Sequence, residues 1–288
     1  MIGWREAHSR TADGLRLFHR DYDVAPPGQA PLLCLPGLTR TARDFGALAA
    51  RHAPRRRVIA PDMRGRGRSD RAPDPAAYAV AVEAADVLAL LDHLGVERVV
   101  AVGTSRGGLI AMALAAMRPG LLAGVVMNDV GPVIEAEGLA GLMRGLEATP
   151  AAFADWPEAE AALRSRLAPT FPGLTPADWA AFARRSFAER DGRPVADWDP
   201  ALVAVSAAAL AQPLPDLWPL FGALSGVPVL ALRGALSDIL SHATLQAMTQ
   251  AHPDLTAVTV PDRGHAPFLD EPAATAAIDA FLERIDAA

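Results

Sequence analysis

The chain has 288 residues, 51% of them hydrophobic, and a formal net charge of −6. That length suits one large α/β domain with an insertion, or two small domains, and the acidic balance argues against a nucleic-acid binder. All 27 basic residues are arginine, which excludes lysine chemistry: no Schiff base, no phosphate-loop lysine and no Ser-Lys dyad.

A single cysteine, Cys34, rules out an intramolecular disulfide and a cysteine-rich metal site. It lies in an apolar run and reads as a small core residue. The first residues lack a basic stretch followed by an apolar one, and no apolar segment reaches the ~18 residues of a membrane span. A cytoplasmic protein is expected, with no membrane partner.

In chain order, residues 4–10 and 15–22 read as two strands around Asp13-Gly14, a hairpin signal. A short buried strand is expected over 31–35, a helix over 41–52 and a strand over 57–60, ended by Pro61. Residues 78–94 form a long apolar-rich helix with His93 in its last turn and Gly95 as its stop. A strand over 98–102, a helix over 106–117 closed by Pro119-Gly120, and a strand over 122–128 follow. Residues 131–225 show no strand-like run, only helical stretches broken by proline, with four of the five tryptophans: Trp156, Trp179, Trp198 and Trp218. Some of these are expected to line a pocket. Alternation resumes with a strand over 227–233, a helix over 241–251, a strand over 255–260 and a helix over 267–286 that Asp270 can cap, with Glu271 favouring the dipole and Pro272 in the first turn.

Strand–helix alternation on both sides of the helical block predicts an α/β fold: a mostly parallel, doubly wound sheet with helices on both faces. Residues 1–130 and 226–288 would form it, with 131–225 inserted as a helical cap over the carboxyl ends of the strands, where open α/β sheets bind ligands.

Gly103-Thr104-Ser105-Arg106-Gly107 lies between the 98–102 strand and the 106–117 helix. A G-x-S-x-G pattern on a strand-to-helix turn is the signature of a nucleophilic serine. The turn strains the serine backbone, and glycines two positions away leave the room it needs. The helix that follows aims free N–H groups at the reacting atom. A serine hydroxyl needs a base. Of the seven histidines, His265 lies between the last strand and the last helix, at the sheet edge that carries Ser105. The base needs a carboxylate to fix its tautomer. Asp238 and Asp129 both follow strands at that edge; Asp238 is favoured because its strand neighbours the one leading to His265, and Asp129 is the alternative. The tetrahedral intermediate needs two donors: the backbone N–H of Arg106, and that of Leu38 in the loop Leu35-Pro36-Gly37-Leu38-Thr39. Pro36 has no N–H to give.

These pieces, with Pro61-Asp62-Met63-Arg64-Gly65-Arg66-Gly67-Arg68-Ser69, Ser237-Asp238 and Gly264-His265, resemble the α/β-hydrolase fold superfamily, and within it the lidded esterases, enol-lactonases and carbon–carbon bond hydrolases. The resemblance spans nearly the whole chain outside 131–225. Pro36 stands where that family usually has histidine, which leaves the support of the oxyanion loop open.

Arg64-Gly65-Arg66-Gly67-Arg68 resembles a nucleic-acid tract, but lacks interleaved aromatics and is expected to be a solvated turn. Asp70 breaks a dinucleotide fingerprint. The Arg106 side chain is a cation at a helix N-terminus, disfavoured by about 0.3–1 kcal/mol. It either forms a salt bridge to a nearby acid or attracts an anionic substrate.

The expected protein is an acyl-transfer hydrolase without cofactor or metal, acting on a small-molecule ester or lactone. Ser105 is the nucleophile, His265 the base and Asp238 the orienting acid. The alternative is cleavage of a carbon–carbon bond in a vinylogous diketone by the same residues; a non-catalytic ligand receptor is the reading from another class. A homodimer is admitted.

Overall fold

The computed structural model describes residues 3–23 and 28–287. The range assigned above to the sheet domain also includes residues 1–2, 24–27 and 288, which lie outside the described residues.

Eight strands form the central sheet: β1 (Arg5–Arg10), β2 (Arg16–Tyr22), β3 (Leu32–Leu35), β4 (Val58–Pro61), β5 (Val99–Thr104), β6 (Leu122–Asn128), β9 (Val229–Gly234) and β10 (Leu255–Val260). The remaining two strands, β7 (Phe187–Arg190) and β8 (Arg193–Ala196), lie apart from it. The order across the sheet is β1-β2-β4-β3-β5-β6-β9-β10. β1 and β2 pair antiparallel, as the Asp13-Gly14 turn implies, and β2 joins β4 antiparallel. Every other pair in this sheet is parallel.

Strand residues alternate between two cores. Leu33, Leu35, Val99, Ala101, Val125, Met127, Val229 and Ala231 face one side. Leu32, Cys34, Val100, Val102, Val126, Leu230 and Leu232 face the other. This is the period-2 geometry of a strand, and near-continuous apolar runs follow because both faces are covered. Helices α2 (Val80–His93) and α3 (Arg106–Met117) cover the first side. Helices α1 (Gly46–His52) and α10 (Pro272–Asp286) cover the second. Helix α9 (His242–Ala251) adds Leu245 and Met248 to the first core. Cys34 is fully buried, and burial pushes its thiol pKa up. It is the core residue expected.

Register places the carboxyl ends of the central strands together. Leu35 lies opposite Gly103, Gly103 opposite Met127, and Thr104 opposite Asn128. The residues that follow β3, β5 and β6 therefore emerge at one edge.

Two helix starts differ from expectation. Residues 42–45 form a 3-10 turn before α1, with Thr41 accepting from Arg43. Helix α10 begins at Pro272 after Glu271, with no side-chain cap. Asp270 does not cap it, and the Glu271 carboxylate instead accepts from the Phe268 N–H and from Arg263, both at 2.8 Å.

Between β6 and β9 the chain forms α4 (Ala136–Glu147), α5 (Trp156–Leu167), α6 (Pro176–Ser186), β7 (Phe187–Arg190), β8 (Arg193–Ala196), α7 (Pro200–Ala209) and α8 (Trp218–Gly222). The strands correct the all-helical expectation. Asp191 and Gly192 have φ of 51° and 74°, the left-handed pair of a two-residue hairpin turn, for which Asp-Gly is suited. The helix starts are well specified. Asp155 and Asp199 cap α5 and α7, and Thr175 with Asp178 forms a capping box on α6. Met143, Phe153, Leu163, Phe171, Trp179, Phe182, Phe187 and Trp198 give this segment an aromatic core of its own.

Candidate active site

Ser105 sits between β5 and α3 with φ 53° and ψ −118°. A non-glycine residue there costs of the order of 1–2 kcal/mol and is held by its surroundings: the Ser105 N–H donates to the Asn128 carbonyl at 2.9 Å. A Cβ at Gly103 would lie 2.5 Å from the Gly107 backbone, and one at Gly107 would lie 2.0 Å from the Leu35 carbonyl oxygen. Both glycines are therefore required by the turn, as the sequence pattern implies.

His265 lies in the loop between β10 and α10. Its Nε2 is 2.8 Å from Ser105 Oγ, and its Nδ1 is 2.7 Å from Asp129 Oδ2. The loop is tied to the sheet by Asn128, whose Nδ2 donates to the Pro267 carbonyl at 2.9 Å and to Thr104 Oγ1 at 3.0 Å.

The partner of His265 is thus Asp129, the alternative acid, and the expected Asp238–His265 contact is not made. Asp129 follows β6 directly, with φ 58°, and its carboxylate is wholly buried. Oδ1 accepts from the Gly234 N–H at 2.7 Å, and Oδ2 accepts from the Ser237 hydroxyl at 2.6 Å as well as from His265. The loop after β9 turns tightly, the Ser237 N–H bonding the Gly234 carbonyl at 3.0 Å. That turn directs Ser237 to Asp129 and leaves Asp238 exposed. Ser237, not its neighbour, is the inward residue of the pair.

The N–H groups of Leu38 and Arg106 donate to no other group among the described residues. A Cβ at Gly37 would lie 3.8 Å from the Ser105 Cβ, so the loop after β3 passes close over the serine. Such donors can face an oxygen bound beside Ser105.

The Arg106 side chain resolves its two readings in favour of the salt bridge: Nε donates to Glu83 Oε2 at 2.6 Å, and the guanidinium also bonds the Tyr78 carbonyl. Glu83 is fully buried and pairs at its other oxygen with Arg66. Arg66 in turn donates through Nε to the Leu38 carbonyl at 2.7 Å. One carboxylate therefore links the residue after Ser105 to the loop after β3. This supplies the support that Pro36 left open.

The same contacts correct the reading of residues 64–68 as a solvated turn. Arg64 and Arg66 are each 1% exposed. Arg64 is held by Asp86 at 2.6 Å and Asp13 at 2.9 Å. Burial lowers the Arg66 pKa, and burial raises that of Asp62, which accepts from the Ala42 and Arg68 N–H groups. Only Arg68 of the three arginines points to solvent, pairing with Glu6. The signal for Glu83 lay in α2: with Val87, Leu90 and Leu91 it sits on one buried stripe, an acid where helical spacing demands an apolar residue.

A cavity of about 370 Å³ opens over Ser105 and His265. Gly37, Leu38 and Thr104 line it from the sheet domain, and Leu142, Leu146, Leu163, Phe182 and Trp198 from the 131–225 segment. Of the four tryptophans there, Trp198 alone lines this cavity. Trp179 is buried in the segment's core, Trp156 bonds Glu189, and Trp218 packs on Phe221. Among the described residues no group of three or more His, Cys, Asp or Glu is arranged to hold a metal ion, and no helix is long and apolar enough to cross a membrane.

The doubly wound sheet and the serine on its strand-to-helix turn define the class. Residues 32–278 match the Alpha/beta hydrolase family, and the chain belongs to it. Among its relatives is a 3-hydroxybutyrate-oligomer hydrolase of Cupriavidus necator, 35% identical over 275 residues and 92% of each chain. Another is a 2-(acetamidomethylene)succinate hydrolase of Mesorhizobium japonicum, 33% identical over 271 residues, 92% of this chain and 91% of that one. The crystal structure of an alpha/beta hydrolase from Novosphingobium aromaticivorans superposes with a TM-score of 0.92, at 43% identity over 99% of both chains.

Proposed function

We propose that the protein is a serine hydrolase that cleaves a carboxylic ester or lactone through an acyl-enzyme. The observation that carries this reading is the continuous chain Ser105 Oγ–His265 Nε2, 2.8 Å, and His265 Nδ1–Asp129 Oδ2, 2.7 Å. In this reading His265 takes the Ser105 proton as Oγ attacks the carbonyl carbon. Asp129 holds the imidazole tautomer and stabilises the imidazolium. The Leu38 and Arg106 N–H groups carry the oxyanion. His265 then gives the proton to the leaving alcohol. Water repeats the sequence on the acyl-enzyme, releasing the acid and restoring Ser105. Residues 131–225 act as the cap that shapes the acyl or alcohol side of the cavity.

An ester is preferred to a carbon–carbon bond because of the Cupriavidus relative. Oligomers of a hydroxy acid, joined hydroxyl to carboxyl, are linked by esters. A preference for vinylogous diketones over simple esters would reverse that choice.

The test is hydrolysis of 4-nitrophenyl esters together with labelling by a fluorophosphonate probe. Ser105→Ala is expected to lose both while its thermal unfolding stays close to wild type. Full esterase activity in a folded Ser105→Ala variant would overturn the reading. Absence of labelling in the wild type would favour a ligand receptor.

A further inference from the structure

Three arginines line the cavity above Ser105: Arg40, Arg166 and Arg185. Two are matched by acids. Arg40 grips Asp44 through Nε at 2.7 Å and Nη2 at 2.6 Å, and gives its remaining nitrogen to Ser186 Oγ at 2.5 Å. Arg185 faces Asp270 at 3.4 Å and lies over the Phe268 ring. Arg166, on α5, has no carboxylate within 4.0 Å among the described residues. Its Nη1 donates to the Gly145 carbonyl at 2.5 Å and reaches Thr149 Oγ1 at 3.4 Å. A Cβ on Gly145 would come within 2.9 Å of the Arg166 side chain, so α4 is bare where the arginine lies across it. The charged group that bears on Arg166 is another cation, Arg40; partial burial first, then that charge, lower its pKa.

Arg40, Asp44 and Arg166 together carry one uncompensated positive charge beside an apolar wall of Leu142, Leu146 and Leu163. The Arg166 guanidinium is exposed beside that wall and has no acid of its own, and a bidentate carboxylate is the partner its planar fork fits. Arg166 is exposed to solvent, so such a partner can arrive from outside. Asp238 also lines the cavity and is exposed; it would repel an anion on its own side, leaving α5 as the favoured end.

We propose that Arg166, flanked by Arg40, is a carboxylate-binding subsite, and that the substrate is an ester carrying a free carboxylate at the end remote from Ser105. This rests on the reading of Ser105 as the nucleophile. An acid-terminated ester has this form, with the scissile carbonyl at the serine and the charged terminus at α5.

The test compares two matched six-carbon acyl esters, the mono-4-nitrophenyl ester of adipic acid and 4-nitrophenyl hexanoate. The ratio of their kcat/KM values is expected to fall at least about tenfold in Arg166→Gln, through KM of the adipate ester, and to recover in part in Arg166→Lys. Binding of adipate to the Ser105→Ala protein, followed calorimetrically, gives a readout without turnover and is expected to weaken by a similar factor when Arg166→Gln is added. A ratio within twofold of wild type in Arg166→Gln, or adipate binding indifferent to the substitution, would overturn the subsite. Failure of the wild type to hydrolyse either ester while adipate binding still depends on Arg166 would overturn the serine reading and leave the subsite standing.

Discussion

The sheet domain and the 131–225 segment differ in the charged groups they bring toward Ser105. In the sheet domain the buried charges that reach Ser105 and its neighbours have partners within the protein. Asp129 receives three donors. Glu83 is shared by two arginines, and Arg64 by two aspartates. The segment instead turns Arg166 toward the cavity without an acid. A group meant to stay still is best satisfied by the protein; a group meant to meet a ligand must be left incomplete. Under the proposed function, the sheet edge holds the reaction geometry and the segment holds the choice of substrate.

That division is tested most sharply at the two aspartates. Asp129→Asn is expected to lower kcat by about 10³–10⁴-fold, because an amide cannot hold the His265 tautomer or stabilise its cation. Asp238→Asn is expected to leave kcat on a neutral ester within about threefold. Steady-state kinetics on both variants decide it, and equal losses would mean that the loop after β9 rearranges to bring Asp238 to His265.

How far these features were legible depends on the range of the interactions behind them. The sheet strands were readable because alternation and turn residues are local: 15–22, 122–128 and 255–260 fall within a residue of β2, β6 and β10. Ser105 and His265 were readable because glycine spacing and position at a strand end are also local. The choice between Asp129 and Asp238 was not. Both acids emerge at the same edge, and the choice depends on how the Gly234–Ser237 turn rotates one side chain inward. The β7–β8 hairpin carried its own signal at Asp191-Gly192, the dipeptide type that was read as a turn at Asp13-Gly14. Arg66–Glu83–Arg106 lay beyond reach, because its members are 17 and 23 residues apart and only the fold makes them neighbours.

Glu83 gives the next largest effect. Glu83→Gln leaves Arg66 buried without its counter-charge, and breaking a buried pair costs about 3–5 kcal/mol of stability. The same change loosens Arg106 and also Arg66, which donates to the Leu38 carbonyl, so both expected oxyanion donors lose support. On the folded fraction kcat is expected to fall about tenfold with KM little changed, the pattern of an interaction made only in the transition state, with partial recovery in Glu83→Asp. Arg106→Met should lower turnover of neutral and carboxylated esters alike, in contrast to Arg166→Gln. A lower melting temperature with unaltered kcat would assign Glu83 a structural role alone.

The smallest effect separates the two regions by pH. All seven histidines lie outside 131–225, so titration of imidazoles acts on the sheet domain. His19 on β2 is fully buried, and neither ring nitrogen has a hydrogen-bond partner among the described residues. Burial is the main cause that lowers its pKa from 6.5 to about 4, with nearby Asp21 opposing. The folded chain therefore keeps His19 neutral where the unfolded chain binds a proton. Stability from this residue is complete above pH 6.5 and is lost as pH falls toward 4, by roughly 3 kcal/mol at the low end. His52, also lowered to about 4 by burial, adds a loss of the same sign. Urea unfolding of the wild type and His19→Leu at pH 7.5, 6 and 5 is expected to show a shallower acid decline in the variant. Parallel declines would mean that His19 already carries its proton in the folded sheet, and that the pH sensitivity of this domain comes from elsewhere.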